Sequence, residues 1–160
     1  MRMSVAAIGR LKDSGEIELT ARYHKRIDQA GRALALGPLI ITELPEARQP
    51  DPAQRKFDEA ARLIATTARA DARIVLDEGG KQLTSPDFAQ FLRKARDAGT
   101  REMAFLIGGP DGHDASVRNG ADLVLSLSRM TLPHGLARAL LAEQIYRALT
   151  IISGHPYHRA

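Results

Sequence analysis

The chain has 160 residues, with 23 Lys and Arg against 19 Asp and Glu, a formal net charge of +4. That length suits one domain, two at most, with a core large enough to need no staple. Cysteine is absent, which excludes disulfides, cysteine zinc sites, thiol nucleophiles and iron–sulfur clusters; Trp is also absent and aromatics reach only 4%, leaving little for a base-stacking platform.

Met3–Ile8 reads as a short buried strand ending at Gly9, and Glu16–Ala30 as a helix stopped near Gly31. Pro38–Leu44 is a second strand. Asp51-Pro52 then opens a helix, with Asp as the cap and Pro at the first helical position. Phe57, Ala61, Ile64 and Ala68 recur at helical spacing along it and predict its buried stripe. Glu46–Pro52, before this helix, is the most loop-like stretch and is expected to be mobile. Arg73–Leu76 is a third strand, closed by Asp77-Glu78-Gly79-Gly80. Ser85-Pro86 starts a helix striped by Phe88, Phe91, Leu92 and Ala95 and stopped by Gly99. Met103–Ile107 is a fourth strand, Asp114–Asn119 a short helix, Asp122–Ser126 a fifth strand, and Pro133 to about Ile152 a last helix. Strands alternating with helices predict an α/β domain built on a mostly parallel sheet with helices on both faces. No linker or repeat divides the chain.

The last helix has two apolar sides. Leu141, Ile145, Ala148, Leu149 and Ile152 form one; Leu136 and Leu140 lie nearly opposite. A helix covered twice needs two covers, and a second copy of the chain is a candidate for one. No run approaches the roughly 18 apolar residues of a membrane span, and no apolar leader with a cleavage site is visible. Cytoplasm is the expected compartment, with no membrane partner.

Three stretches can carry chemistry. Gly108-Gly109-Pro110-Asp111-Gly112 follows a strand, where ligands bind in open α/β sheets; it is either a tight turn or a loop whose backbone N–H groups face a ligand. It is neither a Walker loop nor a dinucleotide fingerprint. Ser126–His134 joins a strand to a helix and offers backbone groups and alternate apolar side chains to an adenine. His155-Pro156-Tyr157-His158-Arg159 ends a locally basic segment in which Glu143 is the one acid after Pro133. Its His-x-x-His lacks a nearby carboxylate cluster, so no metal is expected. Tyr157 can stack on a base, His158 can exchange a proton near neutral pH, and Arg159 can meet phosphate; a solvated chain end is the competing reading. Glu143 and Arg147 read as a surface ion pair, and His24 and His113 as solvated.

Taken together, Leu106–Gly112, Ser126–His134, Leu141–Ala148 and Pro156–Arg159, with Val5–Lys12 and Tyr23–Arg26 at the start, resemble the ribosomal RNA large subunit methyltransferase H family of SPOUT-class enzymes. The likeness runs in order over nearly the whole chain. It implies one domain over residues 1–160, whose part from about 72 to 160 is threaded into a C-terminal trefoil knot. It also implies a homodimer that binds S-adenosylmethionine in the knot. The family's reaction is methylation of N3 of pseudouridine 1915 in 23S rRNA, on the 70S ribosome or its large subunit. By motif position, the cofactor contacts are Leu76, Gly108, Leu127, Ser128, Arg129, Met130, Thr131 and Leu132. Tyr157, His158 and Arg159 are the catalytic candidates, reaching the other subunit's pocket, with His158 as base and Arg159 as electrostatic partner. Arg10, Lys12 and His155 are the RNA-contact candidates. Loop Glu46–Pro52 is less basic than RNA contact would favour. A noncatalytic nucleotide-binding or ribosome-associated module is the competing class of function.

Overall fold

Capping side chains start four of the helices; Asp51 caps as expected, whereas the helix expected to be capped by Ser85 is capped one residue earlier, by Thr84. Asp13 accepts from Glu16 N, Asp51 from Ala53 N and Gln54 N, Thr84 from Asp87 N and Asp114 from Ser116 N. In this computed structural model, which describes residues 1–158, the elements are β1 (Arg2–Ile8), α1 (Ser14–Gly31), a 3-10 turn, β2 (Leu39–Leu44), α2 (Pro52–Thr66), β3 (Ala72–Gln82), α3 (Ser85–Asp97), β4 (Glu102–Ile107), α4 (Ala115–Asn119), β5 (Leu123–Ser126) and α5 (His134–Ser153). The strands form one sheet in the order β2-β1-β4-β3-β5, every pairing parallel.

Alternation along the strands sorts the core into two layers. Met3, Val5, Ala7, Ile74, Met103 and Phe105 face Ile27 of α1, Phe88 and Leu92 of α3, and Leu141, Ile145 and Leu149 of α5. Ala6, Ile8, Val75, Ala104 and Leu106 face Ala60 and Leu63 of α2 and Val117 of α4. Both faces are thus covered, as crossover helices require of a parallel sheet.

The structure corrects three expectations. First, β3 does not close at Leu76. Leu125 pairs with both Leu76 and Lys81, so Asp77–Gly80 bulges out before the strand resumes. Gly80 sits where a Cβ would stand 2.7 Å from the Val124 carbonyl oxygen, so backbone contact excludes any side chain there. Second, the buried face of α2 is Glu59, Ala60 and Leu63, whereas Phe57, Ala61, Ile64 and Ala68 are all exposed, Phe57 by 67%. With alanines on several sides, periodicity sets the pitch of a stripe without choosing which one meets the sheet. Third, the Glu46–Pro52 loop is tied down. Ala47 N donates to Glu59 Oε1 at 2.9 Å, Arg55 donates to the Gln49 and Pro50 carbonyls at 2.8 Å, and Arg62 donates to the Pro45 carbonyl. On α5, Leu141, Ile145, Ala148 and Leu149 are buried, while Leu136 is 38% exposed and Leu140 half-buried.

Candidate active site

Parallel strands bring the β3 bulge and the loops after β4 and β5 to one edge of the sheet, where they close around a cavity of about 890 Å³. Leu76, Ile107, Leu125, Leu127 and Leu132 supply its apolar wall. Gly108–Gly112 supplies backbone, and Lys56, Asp77, Glu78, Asp111, Arg118 and His134 place charged or polar groups around it. The volume lies within the roughly 300–1,000 Å³ usual for small-molecule sites.

Each loop is held in shape locally. The Gly109 and Gly112 backbones bridge, Gly112 N donating to the Gly109 carbonyl at 3.0 Å. The segment is therefore both a tight turn and a cavity wall. A Cβ on Gly109 would meet Glu59 Oε2 at 2.8 Å, and one on Gly108 would meet His113 Cε1 at 3.2 Å. Arg55 grips Asp111 through two hydrogen bonds, at 2.7 and 3.2 Å, and holds its carboxyl below the usual carboxylate range. In the β5 loop, Ser126 Oγ donates to the Ser128 carbonyl at 2.8 Å and Met130 N to Ser128 Oγ at 3.0 Å. Thr131 Oγ1 donates to Glu78 Oε2 at 2.7 Å and ties this loop to the β3 bulge.

Of the expected cofactor contacts, Leu76, Gly108, Leu127, Ser128, Met130, Thr131 and Leu132 line the cavity. Arg129 instead borders a shallow groove with Glu78, Gly79, Gly80 and Gln82. His113 is not solvated as expected. It lines the cavity, its Nε2–H donates to the Leu76 carbonyl at 3.1 Å, and burial lowers its pKa below the ordinary imidazole value. His24 is likewise engaged, 2.6 Å from the Leu39 carbonyl. Sequence reasoning missed His113 because its hydrogen bond to Leu76 spans 37 residues, and missed His134, which lines the cavity, although its place at the end of the Ser126–His134 loop was a cue.

The tail lies elsewhere. Tyr157 Oη donates to Glu143 Oε1 at 3.1 Å and stands 3.2 Å from Tyr23 Oη, its ring 4.8 Å from that of Tyr146. Arg147 binds Glu143 and lies 5.0 Å from the Tyr157 ring centre. Burial first, then these hydrogen bonds, pushes the Tyr157 hydroxyl pKa up. Glu143 and Arg147 are therefore the floor of an aromatic cluster, not a free surface pair. His155 Nδ1 accepts from Tyr157 N at 3.1 Å, and His158 Nδ1 is enclosed without a partner among the described residues. Arg159 lies outside the described residues. None of His155, Tyr157 and His158 lines this chain's own cavity. Arg10 and Lys12 are exposed on the loop after β1, whose Leu11 N donates to Glu43 Oε1 at 3.1 Å. Buried Arg138 fixes the start of that loop, donating to the Gly9 carbonyl at 2.9 Å and pairing with Glu43 at 2.5 Å. Among the described residues, no three His, Asp or Glu side chains group as metal ligands, and no helix is long and apolar enough to cross a membrane.

Comparison with known proteins places these features in a wider set. The family described as "Predicted SPOUT methyltransferase" matches residues 1–158. A protein of Brucella anthropi called ribosomal RNA large subunit methyltransferase H is 48% identical over 160 residues, covering all of both chains. A protein of the same description in Mesorhizobium japonicum is 47% identical, again over both full lengths. Among solved structures, a probable methyltransferase of Bordetella pertussis superposes with a TM-score of 0.55 at 14% identity, over 92% of this chain and 96% of that one. A probable methylase family protein of Haemophilus influenzae gives 0.56 at 13% identity, over 99% and 70%. These two share the fold.

Proposed function

The chain belongs to the SPOUT methyltransferases, among the ribosomal RNA large subunit methyltransferase H proteins, and from that premise we propose that it methylates N3 of a pseudouridine, position 1915, in 23S rRNA of the ribosome, using S-adenosylmethionine. The observation that carries this reading is the cavity itself. The β3 bulge and the loops after β4 and β5 meet there, and seven of eight cofactor positions expected from motif alone line it. The site fits the cofactor. Leu76, Leu127 and Leu132 offer an apolar slot for an adenine, and Gly108 presents backbone to the cavity.

When bound, S-adenosylmethionine supplies a methyl carbon on a sulfonium sulfur, which leaves as a neutral thioether. The chain's own residues orient and exclude. His113 fixes the Leu76 carbonyl, Arg55 fixes the glycine loop through Asp111, and Thr131 closes the β5 loop onto Glu78. Alignment of this kind is worth roughly 7–11 kcal/mol of a bimolecular barrier. An imide nitrogen must also lose its proton, and the anion that forms needs a cation or donor nearby.

The working unit of this proposal is a homodimer, with the knotted segment from about residue 72 forming the cofactor half. Half-exposed Leu136 and Leu140 on α5 support a second copy as cover. So does the tail: Tyr157 is anchored on α1 and α5, away from its own cavity. Tyr157, His158 and Arg159 of one copy then complete the cavity of the other and stabilise the reacting base. Arg10, Lys12 and His155 contact RNA phosphates.

Calorimetry tests the cofactor: S-adenosylhomocysteine binds tightly while ATP and NAD do not. Transfer of labelled methyl to ribosomes lacking the modification, and not to free rRNA, tests the substrate. Binding without transfer would favour the noncatalytic module. H158A slows transfer and leaves S-adenosylhomocysteine affinity near that of the parent.

A further inference from the structure

The donor has two unlike ends. Its adenosine is flat and largely apolar. Its amino-acid end carries a sulfonium, an ammonium and a single carboxylate. A cavity that takes the whole donor in preference to a plain adenosine therefore needs a spare cation for that carboxylate.

Among the described residues, three acids line the cavity, Asp77, Glu78 and Asp111, with two long basic side chains, Lys56 and Arg118. The acids are engaged. Asp77 Oδ1 accepts from Gly79 N at 2.9 Å, Glu78 Oε2 accepts from Thr131 Oγ1, and Asp111 takes both bonds from Arg55. Arg118 leans on the β3 bulge, its Nη1 3.7 Å from Asp77 Oδ2. Lys56 is different. Among the described residues no hydrogen bond or ion pair engages its ammonium, and the residue is half-buried. Its neighbours on α2 fix its direction. Arg55, one residue before, is clamped to the glycine loop through Asp111, and Glu59, three residues on, accepts from Ala47 N. Those contacts set the rotation of α2 that turns Lys56 to the cavity. Its charge reaches the glycine loop: the Asp111 carboxyl is held below the usual carboxylate range by Arg55 first, with Lys56 adding to the effect. Asp111 already has its partner in Arg55, so the lysine is left for a ligand.

We propose that Lys56 is a specificity-determining residue, holding the carboxylate of the donor's amino-acid end. This rests on the methyltransferase reading above and adds a residue that no motif assigned. Leu76, Leu127 and Leu132, from β3 and the β5 loop, take the adenosine, and Lys56, from α2, takes the far end. The two ends of one ligand thus meet separate elements, and the glycine loop lies beside the lysine. An N–H of the ammonium donates to a carboxylate oxygen, and no proton or bond is exchanged.

Calorimetry with two thioethers tests this. One is S-adenosylhomocysteine. The other is its decarboxylated form, S-adenosyl-3-thiopropylamine, which keeps the adenosine, the sulfur and the ammonium and lacks the carboxylate alone. The parent is expected to prefer S-adenosylhomocysteine by about tenfold or more, the scale of one charge-assisted hydrogen bond. K56A is expected to lose that preference: its affinity for S-adenosylhomocysteine falls about tenfold, while its affinity for the decarboxylated form stays within about twofold of the parent. K56R, which keeps the charge, is expected to retain a preference of about threefold or more. Equal losses on both thioethers in K56A, or a parent that does not distinguish them, overturn the assignment. So does an unchanged affinity for S-adenosylhomocysteine in K56A; a raised KM for ribosomes beside it would give the lysine to an RNA phosphate instead. Failure of the unsubstituted protein to bind S-adenosylhomocysteine at all would overturn the methyltransferase reading.

Discussion

His113 shows how one side chain can tie a cavity to a pH. Burial disfavours its charged form, so its pKa falls below the ordinary 6.5. The neutral ring donates to the Leu76 carbonyl, between the β3 end and the glycine loop. For a depressed pKa, the stability that the neutral form contributes is fully present above the ordinary value and drains away as pH falls below it. Thermal midpoints of the parent are therefore expected to drop between pH 7 and 5.5 more than those of H113Q, which cannot titrate; equal slopes would remove His113 from the pH response. Gly80 makes a steric demand of similar sharpness. In G80A the new methyl would stand 2.7 Å from the Val124 oxygen and 2.8 Å from the carbonyl carbons of Val124 and Leu125. Backbone cannot yield as a side-chain end can, so G80A is expected to separate β3 from β5 and to weaken S-adenosylhomocysteine binding at least tenfold by calorimetry.

Among the elements, α2 acts as a clamp. Its start depends on Asp51, which accepts from two backbone N–H groups. D51A is expected to cost about 1 kcal/mol in urea unfolding, the usual worth of such a cap. Arg55, on the helix's first turn, joins two further segments to it, through the adjacent Gln49 and Pro50 carbonyls and through the Asp111 carboxylate. Removing it in R55A frees the 45–50 loop and the glycine loop together. Several-fold weaker S-adenosylhomocysteine binding with a small change in stability is the expected result; the reverse pattern would make Arg55 a scaffold residue only. Glu59 belongs to the same clamp, one carboxylate oxygen on Ala47 N and the other against Gly109. This explains why α2 turns a polar residue inward and leaves Phe57 in solvent. The hydrogen bond from Ala47 in the loop just before the helix favours this rotation over the more apolar stripe.

For the whole molecule, the separation of tail and cavity is the informative feature. If the tail acts on a second copy's cavity, two different defects in one dimer can leave one site intact. Coexpressed H158A and G108V chains are expected to transfer methyl faster than either variant alone. Sedimentation of the parent is expected to give a dimer at micromolar concentration. Absence of complementation in a verified mixed dimer would place the tail in its own subunit's chemistry.

The order of strands and helices, the Asp51 cap and the identity of the cavity loops were legible in the chain, because each depends on near neighbours: a cap on residues two or three along, a stripe on residues four along, a glycine loop on its own turn. The resemblance of four short motifs added the cofactor positions, and all but Arg129 line the cavity. Tertiary structure alone decided the rest. It set the face that α2 buries, the bulge that carries β3 on to Gln82, the binding of the 45–50 loop, and the hydrogen bond of His113 to Leu76. That pair lies 37 residues apart, and only parallel crossovers that return every strand end to one edge of the sheet bring it within hydrogen-bonding reach.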